Sequence, residues 1–293
     1  MMGQRLIAPF YHAVSDEPMP HIQHLYKVKT VREFEKDLDF LLRHYRPVDF
    51  HELSELPATH GAKPPMLLSF DDGLREFHDV IAPVLLRKGI PAICFLNSGF
   101  LDNQDLFYRY KASLLIEHSP HKTAELLSIR YADRARLDEM ALSVGFSFED
   151  FLQKKQPYLT TPQVELLLKQ GFHFGAHSVD HPEYRFLPLE EQLRQTTKSV
   201  ETISNKFGLG YRLFSFPFTD YGVSKKFFDF VLEEKKVADY SFGCAGLKTD
   251  VHPKHIQRIP LEGNDLTAED TLRREFFYFW LKMPFGKNRI RRT

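Results

Sequence analysis

Cysteine is scarce in these 293 residues, with only Cys94 and Cys244 present. Two thiols make no disulfide framework. Cys94 lies inside the apolar run Pro91-Ala92-Ile93-Cys94-Phe95-Leu96 and reads as a reduced core residue. The sequence around Cys244 gives it no role. Net charge is missing too, with 39 Lys and Arg against 39 Asp and Glu, so no nucleic-acid partner is expected. No apolar stretch reaches the length of a membrane span. The apolar run in Met-Met-Gly-Gln-Arg-Leu-Ile-Ala-Pro-Phe-Tyr-His at the start is far too short for a secretory signal, so a cytoplasmic protein is expected. Internal repeats, low-complexity tracts and linkers are all lacking. The expectation is one domain over residues 1–293.

What the chain does have is ordinary globular material, at 43% hydrophobic and 27% charged residues. Its length suffices for one barrel-sized core. The 27 phenylalanines are mostly packing residues, with some rings available to line a sugar site. Strand and helix patterns alternate. Residues 6–11 read as an opening strand. Thr30 with Glu33 forms a capping-box signature, and Phe34, Leu38, Leu41 and Leu42 mark one helix face. Residues 66–70 and 91–97 read as strands around a helix at 77–88 closed by Gly89. Residues 102–160 turn helical and charged, an insertion of the kind that sets specificity at barrel loops. Thr161-Pro162 starts a further helix, and residues 189–207 form one ended by Gly208. Strands at 212–218 and 256–261 complete the pattern.

Ser69-Phe70-Asp71-Asp72-Gly73 is the most telling segment. It ends an apolar strand, so both carboxylates sit at the C-terminal mouth where α/β folds build active sites. At the bend into Gly73 both can turn toward one pocket. Two ionised carboxylates that close repel unless a cation is near. A metal resolves the conflict if one Asp ligates it and the other stays free as a base. The alternative is a plain Asp-Asp-Gly turn.

A second segment favours chemistry. His177 and His181 follow the short strand-like Phe172–Ala176 stretch, and Pro182 blocks continuation of a helix. Two imidazoles four residues apart can chelate one cation. Asp72, His177 and His181 make three protein ligands with a position left open, the pattern of catalytic zinc.

These two segments resemble the first two motifs of the polysaccharide deacetylase family, the NodB-homology or carbohydrate esterase 4 group. Phe214-Ser215-Phe216-Pro217-Phe218 with Tyr221-Gly222 resembles its aromatic-proline-aromatic-glycine segment. The similarity runs from about residue 5 to about 262, and Tyr11-His12 resembles an opening found in a subset of members. The resemblance implies an α/β fold, an irregular (β/α)7-type barrel of the NodB-homology kind with a helical insertion. It implies a metal-dependent hydrolase that removes acetyl groups from the N-acetylated sugars of a glycan or glycan precursor. By motif match, Asp71 is the general base and Asp72, His177 and His181 are the metal ligands. The Phe218 N–H is the oxyanion donor, and Pro217, Tyr221 and Arg258 are placed at the substrate. The divalent metal is read as Zn2+, with Co2+, Ni2+ and Fe2+ accepting the same ligands. Many relatives are exported, so a cytoplasmic member points to a glycan precursor or a lipid-linked saccharide.

The departures from the family pattern are informative. Where many members carry an Arg that braces the catalytic Asp, this chain has Ser215, leaving Arg212 and Arg258 as substitutes. Two extra residues precede Gly222. The Asp-and-Trp motif is not recognisable, and the Leu-x-His motif that supplies the general acid is missing. His12, His252 and His255 are the candidates for that acid, and His12 is preferred because it follows the entry strand. Two other readings stay open: a weak or inactive carbohydrate-binding member of the fold, and an amidase with a non-sugar substrate.

The tail, 272–293, combines Phe276-Phe277-Tyr278-Phe279-Trp280 with Lys282, Lys287, Arg289, Arg291 and Arg292. Aromatics beside cations suit an anionic membrane surface. A terminal helix packing its aromatic face on the barrel, with a solvated basic end, is the preferred reading.

Overall fold

The computed structural model describes residues 6–55 and 63–292. The start of the N-terminal segment read above for a leader (1–5) and the last tail residue, Thr293, lie outside the described residues. In chain order the first elements are β1 (Pro9–Tyr11), α1 (Val31–His44), β2 (Arg46–Pro47), β3 (Pro65–Met66), β4 (Leu68–Phe70), α2 (Ala82–Lys88) and β5 (Ala92–Leu96). Four helices follow without a strand between them: α3 (Tyr108–His118), α4 (Thr123–Ser128), α5 (Ala135–Ser143) and α6 (Phe148–Lys155). The alternation then resumes with α7 (Thr161–Lys169), β6 (His173–Ala176), α8 (Leu189–Phe207), β7 (Leu213–Ser215), α9 (Lys225–Phe228), β8 (Tyr240–Gly243), β9 (His255–Gln257), β10 (Ile259–Pro260) and α10 (Ala268–Lys282).

Every pairing in the main sheet is parallel, in the order β10-β1-β4-β5-β6-β7-β8-β9. The two edge members are halves of one strand interrupted at Arg258. The first half pairs with β8 and the second with β1, so the sheet curls into a nearly closed (β/α)7-type barrel. Parallel strands need covering crossovers on the outside, and strands buried on both faces carry continuous apolar runs such as Ala92-Ile93-Cys94-Phe95-Leu96. β2 and β3 form a separate parallel pair.

Local signals fix the helix ends. Thr30 caps α1 with a full capping box to Glu33, a device worth about 1 kcal/mol. Gly89 and Gly208 end α2 and α8 in left-handed conformation. Some boundaries differ from the pattern reading. The motif strand breaks at Leu67, because its backbone N–H pairs with Ile7 while its neighbours serve other strands. α7 does begin at Thr161, with Thr160 as its cap. β7 stops at Ser215, two residues short of Pro217, which has no N–H to give to a ladder.

Strand direction places the chemistry. Registers Tyr11↔Phe70, Leu96↔Ala176 and Ala176↔Phe214 bring the C-terminal ends of β1, β4, β6 and β7 to one level. His12, Asp71, Asp72, His177 and the 216–218 segment therefore emerge at the same mouth. The helices α3 to α6 build an apolar cluster of their own, including Leu114, Leu126, Leu137 and Leu152, with Met19 and Ile22 from the loop after β1. Tyr110 and Phe107 of this layer face the barrel mouth. α10 packs inward through Leu272, with Phe276 and Phe279 half-buried against the main core. The basic end of the tail is only partly solvated: Lys287, Arg289 and Arg291 are exposed, but Arg292 is buried against Asp220 and Asp250.

Candidate active site

β4 delivers Asp71 and Asp72 to the mouth, both buried. Asp71 keeps extended pairing, its N–H donating to the Tyr11 carbonyl at 3.0 Å. Asp72 then turns to φ 70° and Gly73 to φ 64°. A Cβ on Gly73 would lie 2.6 Å from Leu96 Cδ2, so the turn is closed to larger residues. This turn swings the second carboxylate toward the first one's pocket.

The three sequence-predicted ligands do meet. His181 Nε2 lies 3.2 Å and His177 Nε2 3.5 Å from Asp72 Oδ1. His177 Nδ1 donates to the Ser215 carbonyl at 2.9 Å, which leaves the Nε2 lone pair facing the site. Among the described residues, neither Asp72 Oδ1 nor His177 Nε2 has a hydrogen-bond partner. Buried polar atoms without partners are costly, and two of them converging beside a third ligand fit a divalent cation. Burial pushes the His177 imidazole down to about 4, further lowered by His181 and only partly offset by Asp71. It is thus neutral and free to ligate. Burial pushes Asp72 up, but the neighbouring His181 outweighs it, and the carboxyl sits far below its usual range. Among the described residues, two other groups of potential ligands exist: Asp49, His51 and His173 at the opposite end of β6, and Asp220, Asp250 and His255, whose carboxylates are taken by Arg292.

Arg258 answers the missing family arginine. It is fully buried, and its guanidinium donates to Asp71 Oδ1 at 2.8 Å and Oδ2 at 2.7 Å, to the Ser215 hydroxyl at 2.6 Å and to the Ser69 hydroxyl at 3.0 Å. Phe10 stacks on it at 4.3 Å. Burial raises the Asp71 pKa, but Arg258 and His177 outweigh that, so the carboxyl lies below its ordinary value. Arg258 thus touches the pocket wall but is committed to Asp71 rather than free for a substrate. Arg212, the other substitute, is exposed before β7.

A cavity of about 360 Å³ opens over these groups, lined among others by His12, Tyr26, Phe107, Phe218 and Cys244. Of the three candidate acids, only His12 lines it. Burial lowers the His12 pKa, yet the Glu262 carboxylate bonded to Nδ1 overrides this and lifts it to about 9. His255 is instead locked between Asp220 and Ser241, and His252 stacks on Phe228. Phe218 lines the cavity at φ 54°, at the centre of a tight turn in which the Thr219 N–H donates to the Pro217 carbonyl at 2.6 Å. Its own N–H bonds to nothing among the described residues. Pro217 is buried and Tyr221 is 76% exposed, and neither lines the cavity.

Asp72, Ser178, His181 and Phe218 all carry positive φ, and such strain gathers where geometry serves function. Sequence reasoning missed two contacts. Tyr110 of α3 donates to Asp72 Oδ2 at 2.7 Å, and Glu262 grips His12. The insertion offers no spacing that singles out Tyr110. Glu262 was discoverable in principle, as an acid directly after the strand that returns to β1.

Known structures share this architecture. The Streptococcus pyogenes deacetylase PplD in complex with acetate aligns with a TM-score of 0.62 at 13% identity, over 93% of this chain and 98% of that one. IcaB from Ammonifex degensii aligns at 0.59 and 16%, over 94% and 97%. A de-N-acetylase from Aggregatibacter actinomycetemcomitans aligns at 0.60 and 15%, over 92% and 99%. At such identity the likeness speaks for the fold. No curated protein matches the sequence. The sequence does match the family model described as polysaccharide deacetylase over residues 59–228, more than half its length, and the chain therefore belongs to the polysaccharide deacetylase family.

Proposed function

We propose that this chain is a metal-dependent hydrolase that removes acetyl groups from N-acetylated sugars of a glycan or glycan precursor. The observation that carries the reading is the convergence of Asp72 Oδ1, His177 Nε2 and His181 Nε2, the first two without partners, beside an Asp71 held ionised by Arg258. A divalent ion held there, zinc by the preference of a nitrogen and oxygen donor set, would polarise the amide carbonyl and acidify a water.

The chain's own groups then account for the proton traffic. Asp71 takes a proton from the attacking water. The N–H of Phe218, a residue that lines the cavity, steadies the oxygen that becomes negative as the carbonyl turns tetrahedral. His12, kept protonated by Glu262, gives its proton to the departing nitrogen as the C–N bond breaks. The products are acetate and a free amine. The second reading, an inactive binder, rested on a missing arginine and a missing acid. Arg258 on Asp71 and His12 at the cavity both favour the enzyme.

The test is acetate release from a panel of N-acetylhexosaminyl glycans. Activity that is abolished by a chelator, restored by Zn2+ or Co2+ and absent from Asp71→Asn is expected. A fully metal-loaded protein that releases no acetate from the glycan panel and from simple acetamides would overturn the reading.

A further inference from the structure

Past the exposed Arg273 and Arg274, the outer face of α10 turns apolar where a solvent face should be polar. Leu272, Phe276 and Phe279 occupy the inner side of this helix, yet Phe277 is 64% exposed, Phe285 just beyond the helix is 73% exposed, and Trp280 and Leu281 are exposed beside them. A helix apolar on all sides is not a stable solvent-facing design unless something covers it. The patch is held rigidly. The chain reverses at Gly286 in left-handed conformation, and the returning segment pairs with Thr249 through Ile290 N–H at 2.8 Å and Asn288 carbonyl at 3.0 Å. Arg292 then anchors the end between Asp220 and Asp250.

Charge says what the cover is. The whole chain is neutral, but residues 276–292 contain no Asp or Glu. Lys287, Arg289 and Arg291, which follow the aromatics in the chain, are exposed, and Lys282 lies over the Tyr278 ring at 5.3 Å. Tryptophan and tyrosine favour the boundary between water and hydrocarbon, and clustered Lys and Arg add attraction to anionic headgroups. A protein partner would need matching acids and a shaped recess, whereas a bilayer needs only these two ingredients. None of these residues lines the cavity at the barrel mouth. We infer that the face formed by Phe277, Trp280, Leu281 and Phe285, with Lys287, Arg289 and Arg291, docks this protein onto an anionic lipid surface.

Trp280 is the only tryptophan in the chain, so its fluorescence reports on the face directly. The experiment mixes the full-length protein with vesicles of phosphatidylcholine alone, or of phosphatidylcholine with phosphatidylglycerol, and follows both pelleting and emission. Binding to the anionic vesicles stronger on the order of tenfold or more, with a blue shift of Trp280 that salt weakens, is expected. A triple variant F277S/L281S/F285S should lose the shift and the pelleting. A second variant, K287E/R289E/R291E, should lose the preference for anionic lipid; both variants change only exposed side chains and should keep the wild-type melting temperature. Equal pelleting of wild type and both variants would overturn the inference. So would a blue shift that grows with protein concentration in the absence of vesicles, since the face would then be covered by a second copy.

Discussion

Arg258 and Asp71 are joined by two parallel hydrogen bonds across the barrel interior, 187 residues apart in sequence. The fork fixes the carboxylate in plane as well as in charge state. Arg258→Lys keeps the charge but replaces a rigid fork with a single mobile ammonium. We expect kcat to fall about a hundredfold, the size of loss that misplacing a catalytic group by about 1 Å produces. KM should change far less, because Arg258 is spent on Asp71. Steady-state kinetics on an N-acetylated glycan separates the two parameters. An unchanged kcat would show that Asp71 needs no bracing.

Tyr110 holds the other carboxylate. Its hydroxyl is buried and donates to Asp72 Oδ2, leaving Oδ1 turned to the histidines. Outer partners of this kind typically alter metal affinity by about 10- to 100-fold. Tyr110→Phe removes one oxygen and no packing volume of note. Competition against a chelator dye should show Zn2+ or Co2+ affinity reduced within that range, while thermal melting of the metal-free protein moves little. Wild-type affinity in the variant would make Tyr110 a packing residue only.

How far the sequence shows these relationships differs by kind. Local ones are plain in it: the Thr30 and Glu33 capping box, the Gly89 and Gly208 stops, and the apolar strands all depend on neighbours a few residues away. The convergence of the candidate trio was also legible, since carboxylates and imidazoles just past strand ends of parallel strands must reach one mouth. What pattern could not decide was which of two arginines reaches that mouth, whereas among the three histidines it preferred His12, the one that lines the cavity. Arg258 sits in the last strand at the point where it switches partners between β8 and β1, and this closure is a property of the whole ring. His255 has both its nitrogens occupied by Asp220 and Ser241. Tyr110 was hidden because the insertion packs by its own periodicity, and its contact with Asp72 exists only once that layer lies over the barrel.

His12 carries the pH prediction. Its pKa is lifted from 6.5 to about 9, with Glu262 overriding burial. A raised pKa means that the stabilisation from this pair is complete below about 6.5 and is lost as pH climbs through about 9. Activity needing the imidazolium should fall over the same alkaline window, at somewhat lower pH with a divalent cation bound, because a nearby positive charge disfavours protonation. Glu262→Gln removes the support, so the alkaline limb of kcat/KM should move down by more than one pH unit. A limb that stays in place in this variant would assign the proton donation to another group.

Arg292 locks the returning tail. Its side chain is 2% exposed, and its guanidinium bonds both Asp250 oxygens and Asp220 and stacks on Phe228 at 3.8 Å. The crossover from β8 to β9 has no helix, and this segment lies along it through Thr249. Arg292→Ala strands two acids in the interior, and breaking a buried pair from one side costs about 3–5 kcal/mol. Urea unfolding at neutral pH should show a loss of that order. The acid response gives the sign. Burial pushes Asp220 up, but His255 and Arg292 hold it far below 3.8, so its contribution is full above about 3.8 and is lost as pH falls below that. Removing Arg292 weakens that hold, so the gap between wild type and variant should narrow as pH drops below about 3.8. A gap that stays constant down to acid unfolding would mean that packing on Phe228, and not charge, is what Arg292 contributes.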